Sequence, residues 1–319
     1  ALDLQIREKG MAGRSDLPPL RLYTSEQAHS SIEKAAIVLG IGKESVHLIP
    51  VDEQFQMRCD ALSGAIEEDI RNGRRPFCVV ATVGTTSTTS IDPVPEIAVI
   101  CEHHDLWLHI DAAYGGAAAI VPEKRSVLAG CERADSFLLN PHKWLFVPFD
   151  CTAFYTRKPD VLARAFSLVP EYLRTESEGI HNFMDYGIQL GRRFRALKLW
   201  MVLRMFGVKG LQEAIRSHLD LANRFAGWVK ESADFELMAP VPFSVVCFRA
   251  HPAGWTEKDL DRLNQSLMDA VNQTGEMYIS HTKLNGKLTL RLAVGHLKTE
   301  ERHVLRAWEL LQEHCRSLA

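Results

Sequence analysis

The sequence predicts an α/β fold: a mostly parallel sheet with helices on both faces, followed by a small α+β unit. Three observations carry that reading. From about residue 20 to 156, apolar runs of strand length alternate with helix-length runs, and such alternation builds βαβ units around a parallel sheet. Several of these strands end in acidic, hydroxyl-bearing or small residues, which open sheets of this kind present to ligands at their carboxyl edge. Past residue 195 the pattern changes to long helices with a few interleaved strands.

Taken in order, strands are expected at Val46–Ile49, 77–83, 106–110, Ser136–Leu139 and 152–155. Helices are expected at 31–40, 60–72 and 94–104, the last entered through Pro93 and Pro95. Residues 157–190 lose the rhythm, and the polar run 170–179 has no core pattern, so it reads as a surface loop. An apolar helix follows at 194–206, stopped by Gly207. A long helix at 211–232, a strand near 244–249, a helix opening at Thr256, a strand at 288–293 and a final helix from about Thr299 complete the chain. Thr256 with Asp259 makes a loose capping box. The expected division is 1–195 for the large domain, incomplete at its N-terminus, and 196–319 for the linking helix and small domain. The chain starts mid-pattern at Ala1-Leu2-Asp3, without an initiator Met.

Composition excludes several classes. With 46% hydrophobic and 24% charged residues the chain is ordinary for a globular protein. A net charge of −3 leaves no basic footprint for nucleic acid. No apolar run approaches the roughly 20 residues that span a bilayer. Seven scattered cysteines show neither disulfide nor metal spacing, which suggests reduced thiols and a cytoplasmic setting.

The chemistry centres on Leu139-Asn140-Pro141-His142-Lys143-Trp144. A lysine between a proline turn and a tryptophan, just after an apolar strand, reads as an amine aimed into a site and poorly solvated. Burial disfavours a charged amine, and an amine so tuned can form a Schiff base with a carbonyl. Taken alone, such a residue is more often a surface lysine in a turn. Upstream, Leu106-Trp107-Leu108-His109-Ile110-Asp111 is a short strand ending in an acid. Asp111 could meet a ligand there, or simply cap a helix. His29, near the start of a helix, could be a cap or a core residue, with Ser30 or Ser31 as the helix cap. The loop Gly84-Thr85-Thr86-Ser87 after the second expected strand could bind polar atoms or be a plain turn. Four such signals at strand ends, in this order, outweigh their separate readings.

These runs, together with Ser25-Glu26-Gln27-Ala28-His29-Ser30-Ser31, Ala81-Thr82-Val83-Gly84-Thr85-Thr86, His109-Ile110-Asp111-Ala112-Ala113-Tyr114 and Leu190-Gly191-Arg192-Arg193-Phe194-Arg195, resemble the group II pyridoxal-phosphate-dependent amino-acid decarboxylases of the aromatic-L-amino-acid type. The resemblance runs essentially the whole chain. It implies the fold-type I architecture and pyridoxal 5'-phosphate as cofactor, with Lys143 bonded to it, Asp111 paired with its pyridine nitrogen and His29 stacked on its ring. Thr82, Ala113, Asn140 and His142 would line the cofactor pocket. Tyr172, in the 170–179 loop, would donate a proton to the decarboxylated carbon; relatives with Phe there tend towards aldehyde products. Family relatives carry a further N-terminal portion that binds the cofactor phosphate. The implied activity is decarboxylation of an aromatic L-amino acid, by a homodimer. Alternatives are a histidine or glutamate decarboxylase, an aldehyde synthase, an aminotransferase or desulfurase on the same fold, and a truncated inactive remnant that only dimerises or binds a partner.

Overall fold

The computed structural model describes residues 5–168 and 182–318. Its larger sheet contains β1 (Leu20–Ser25), β2 (Val46–Ile49), β3 (Arg75–Thr82), β4 (Trp107–Asp111), β5 (Ser136–Leu139) and β6 (Ala153–Thr156), in the order β2-β1-β3-β4-β5-β6. Neighbours are parallel except β6, which runs antiparallel to β5. The smaller sheet contains β7 (Phe235–Leu237), β8 (Val245–Ala250), β9 (Ser280–Leu284) and β10 (Lys287–Ala293), antiparallel in the order β7-β8-β10-β9. The α-helices of the described residues are α1 (Ile6–Lys9), α2 (Ser31–Val38), α3 (Cys59–Arg71), α4 (Val94–His103), α5 (Pro141–Trp144), α6 (Pro159–Phe166), α7 (Ala196–Glu231), α8 (Glu257–Gln273) and α9 (Glu301–Leu318).

Strand side chains alternate between faces. On one face of the larger sheet Tyr23, Val79, Ala81, Leu108 and Ile110 are buried and pack with Leu62 and Ile66 of α3 and Ile97 and Ala98 of α4. Burying each large apolar side chain there is worth about 1.5–3 kcal/mol. The opposite face carries Thr82, Asp111 and Leu138 in one register row. The smaller sheet has its own core, in which Phe225 of α7 meets Phe248, Trp308 of α9 and Leu267 of α8. Thr256 caps α8 as its sequence predicts, its hydroxyl accepting the Asp259 amide.

Strand β1 was not among the expected strands. Its polar residues hide it: Thr24 and Tyr23 are buried, but their hydroxyls bond the Val80 carbonyl and the Asp69 carboxylate at 3.0 and 2.8 Å. Short β7, polar β9 and helix α6 also escaped the pattern. The expected 194–206 and 211–232 helices are joined in α7, bent at Gly207, where the backbone leaves helical geometry at φ 63°, ψ 175°. The expected loop at 170–179, with Tyr172, lies outside the described residues.

Candidate active site at the carboxyl edge of the larger sheet

Strands β1, β3, β4 and β5 all end on the same edge, so parallel pairing gathers His29, Thr82, Asp111 and Asn140 there. Thr82 is the register partner of Asp111, and Asp111 of Leu138. Adjacent strands lie about 4.8 Å apart, so the Thr82 hydroxyl and the Asp111 carboxylate are neighbours on one face. The Asp111 carboxylate accepts the Ala113 amide at 3.0 Å, and among the described residues it forms no ion pair. The Ala113 carbonyl accepts the Asn140 amide at 3.2 Å, tying β4's end to β5's.

Thr82 is held by a residue the sequence did not disclose. Asp92, only 1% exposed, accepts the Thr82 amide at 2.8 Å and the Met57 amide at 2.8 Å. Burial pushes its carboxyl up to about 6, against the pull of those two amides. The Thr82 hydroxyl, by contrast, is buried with no hydrogen-bond partner. An orphan of this kind costs about 1–3 kcal/mol unless something satisfies it. The turn after β4 crosses the loop after β3 at contact: a Cβ on Gly115 would stand 2.5 Å from the Val83 carbonyl. Only glycine permits that approach, and the Gly115 amide bonds the same carbonyl at 3.1 Å.

The structure corrects the reading of Lys143 as a poorly solvated amine at a strand end. Lys143 lies on the one-turn helix α5 after β5 and is exposed. Successive helical residues point about 100° apart; α5 buries Pro141 and Trp144, which turns Lys143 outward. Its amide donates to the Asn140 carbonyl at 2.9 Å. Asn140 accepts the Thr152 hydroxyl at 2.8 Å, and His142 Nδ1 lies 2.6 Å from the Cys151 carbonyl oxygen. His29 is also exposed, in the turn between β1 and α2. Its Nδ1 accepts the Ser31 amide at 3.2 Å, so the imidazole, and not a serine hydroxyl, satisfies the first turn of α2. Arg195 pairs with a half-exposed Asp150 at 2.9 Å.

On the same face as Asp111, two residues back, His109 is half-buried; its Nδ1 lies 2.8 Å from the Ser136 hydroxyl, and burial lowers its affinity for a proton. Trp144, next to Lys143, is fully buried. Its ring stacks on Tyr114 with centroids 4.8 Å apart, and its indole N–H donates to His218 Nδ1 at 3.0 Å. Neither Asp92 nor His218 carries a local sequence signal, because their partners are distant in the chain.

Residues 4–251 match the family described as the pyridoxal-dependent decarboxylase conserved domain. The chain belongs to that family. Tryptophan decarboxylase 2 of Oryza sativa subsp. japonica is 43% identical over 308 residues, covering 95% of this chain and 62% of that protein. Aromatic-L-amino-acid decarboxylase of Sus scrofa is 43% identical over 319 residues, covering 99% of this chain and 63% of that protein. The structure of Oryza sativa TDC with PLP and tryptamine superposes with a TM-score of 0.93 at 39% identity, over 98% of this chain and 66% of that one. The chain thus spans a little over three fifths of the length of these curated relatives. In this decarboxylase-family chain the mostly parallel sheet and the separate antiparallel sheet are those of the fold-type I enzymes.

Proposed function

We propose that this chain carries the catalytic edge of an enzyme that decarboxylates an aromatic L-amino acid to its amine, with pyridoxal 5'-phosphate as cofactor and Lys143 as the amine that bonds it. The observation that carries the reading is the row of Thr82 and Asp111 at the carboxyl edge, followed across β5 by the turn bearing Lys143. Relatives named for tryptophan, tyrosine and aromatic-L-amino-acid decarboxylation support the substrate class.

The residues present fit this cofactor. The partnerless Thr82 hydroxyl is a buried polar group awaiting a ligand atom. Asp111 offers a carboxylate without a competing cation among the described residues. Lys143 presents an amine that an aldehyde can reach. When bound, pyridoxal phosphate supplies that aldehyde and an electron-withdrawing pyridinium ring. Asp111 would hold the ring nitrogen's proton. Thr82, Ala113, Asn140 and His142 would bound the ring's surroundings, and His29, on the turn after β1, would cover one of its faces. Tyr172 would return a proton to the carbon that loses its carboxylate.

We assign residues 1–195 to a large cofactor-binding domain and 196–319 to the linking helix and small domain. We further propose a homodimer, which the exposed apolar residues Phe194, Trp200, Met201 and Met205 support. A cytoplasmic location is supported by seven cysteines that form no disulfide; among the described residues, no helix is long and apolar enough to cross a membrane.

The test is direct. Pyridoxal 5'-phosphate is added to the purified chain, borohydride is applied, and the labelled peptide is identified by mass. Label at Lys143, its loss in Lys143→Ala, and release of carbon dioxide with amine from dopa, tyrosine or tryptophan are expected. A keto acid without carbon dioxide would instead identify an aminotransferase. An aldehyde synthase is a second reading, because a phenylacetaldehyde synthase of Arabidopsis thaliana is 41% identical over 95% of this chain. Tyr172→Phe separates the two: loss of amine with gain of aldehyde is expected if Tyr172 is the proton donor.

A further inference from the structure

Helix α5 is a single turn of four residues, and a turn that short has no stability of its own. Lys143 is exposed, so packing on its side chain does little to fix it. Its position is therefore set by what holds its neighbours. Trp144 is 0% exposed, stacked on Tyr114 at an interplanar angle of 4° and met edge-on by Phe243 with centroids 5.8 Å apart. Those contacts are apolar and only loosely directional. The directional contact is the indole N–H bond to His218 Nδ1 at 3.0 Å.

Indole nitrogen can only donate, so His218 must offer a lone pair at Nδ1 and carry its proton on Nε2. Nε2 lies 3.2 Å from the His296 carbonyl, to which it donates. Two partners from different parts of the chain, α5 and the segment after β10, thus select one neutral tautomer. Burial acts in the same direction, lowering the imidazole's affinity for a second proton, and outweighs the pull of the His296 carbonyl, which raises it. The Phe146 ring stands edge-on at 5.5 Å.

We propose that His218 is a positioning residue, which holds the Trp144 indole by its Nδ1 lone pair and thereby fixes the turn that presents Lys143. This rests on Lys143 being the reactive amine. The role is distinct from packing, because it requires an acceptor at one atom and is blind to volume. His218→Asn places a carbonyl oxygen near Nδ1 and keeps that acceptor. His218→Leu keeps bulk and loses it. Trp144→Phe removes the donor.

Two measurements test this on the full chain. In the first, Lys143 is labelled with pyridoxal 5'-phosphate and borohydride, and the rate is followed by peptide mass. His218→Leu is expected to slow labelling about tenfold, the size of one lost buried hydrogen bond. His218→Asn should recover most of that rate, and the double variant His218→Leu with Trp144→Phe should be no slower than Trp144→Phe alone.

In the second, which needs no cofactor, hydrogen exchange is followed at the Trp144 indole N–H, identified by its absence in Trp144→Phe. Exchange is expected to be faster in His218→Leu and near the parent rate in His218→Asn. Equal exchange in the parent and His218→Leu, or additive effects of the two changes, would overturn the assignment of His218. Absence of label at Lys143 in the parent would instead sink the role of Lys143, and the exchange measurement would still decide whether His218 holds the turn.

Discussion

A single buried carboxylate shows how the site is held from behind. Asp92 gives both oxygens to backbone amides, those of Met57 and Thr82. Ionised, it serves both; it nonetheless sits nearly sealed from water, and burial pushes its carboxyl up to about 6. The unfolded carboxyl titrates near 3.9. A group whose folded value is raised contributes stability that is fully present below the unfolded value and lost as pH rises through the folded one. A difference of that size corresponds to roughly 3 kcal/mol. The stability of the parent relative to Asp92→Asn should therefore fall by about 2–3 kcal/mol between pH 4 and pH 7. Urea denaturation of both proteins across that range measures it, and a constant difference would show that Asp92 does not titrate there. The side-chain amide introduced by Asp92→Asn would also turn its NH₂ towards one of the two backbone N–H groups, so the variant should be the less stable protein at pH 4.

Among the elements, α7 makes two opposite demands on glycine. Gly207 sits at φ 63°, ψ 175°, where a side chain strains the backbone although space for a Cβ is open. Gly227 lies within regular helix, also with open space. Gly207→Ala should lower the unfolding free energy by about 1–3 kcal/mol, while Gly227→Ala should raise it by about 0.5–1 kcal/mol. Opposite shifts in urea midpoint are the expected result, and two shifts of the same sign would contradict the kink. The break at Gly207 was legible in the sequence, because it interrupts an apolar helical run, but as the end of a helix and not as a bend within one. Also legible were β2, β3, β4 and β5, which are predominantly apolar, and the cap at Thr256. Strand β1 was not, since its buried hydroxyls are satisfied by Val80 and Asp69, far away in the chain. The solvation of Lys143 was not legible either: local sequence placed it after β5, but only the burial of Pro141 and Trp144 decided which way α5 would turn it. Asp92 and His218 depend wholly on distant partners, and no local pattern could have marked them.

At the scale of the molecule, the question is how the two sheets are fastened where the site lies. Arg291 on β10 answers most of it. Its guanidinium donates to the Ser87 carbonyl at 2.9 Å, the Thr86 carbonyl at 2.8 Å and the Ser280 hydroxyl at 3.1 Å. Ser87 is also joined to Thr282 of β9 through their hydroxyls at 2.9 Å, and the Cys247 thiol of β8 lies 3.2 Å from the Ser87 carbonyl. The smaller sheet thus grips the loop that follows Thr82. A second tie runs from Tyr114, after Asp111, to the Ser244 hydroxyl at 2.6 Å. Both strands that carry the Thr82–Asp111 row are therefore braced by the smaller sheet just beyond their ends. Arg291→Ala would strip the Thr86 carbonyl of its donor and leave the Ser87 carbonyl with the thiol alone, costing about 1–3 kcal/mol. Arg291→Lys should recover little, because an ammonium cannot reproduce the planar fork that spans two successive carbonyls. Deuterium exchange followed by mass spectrometry should show faster exchange in residues 84–90 in both variants, with β2 and α3 at the parent rate. Uniform acceleration over the whole chain would indicate global destabilisation instead, and unchanged exchange in 84–90 would show that the loop keeps its place without the arginine.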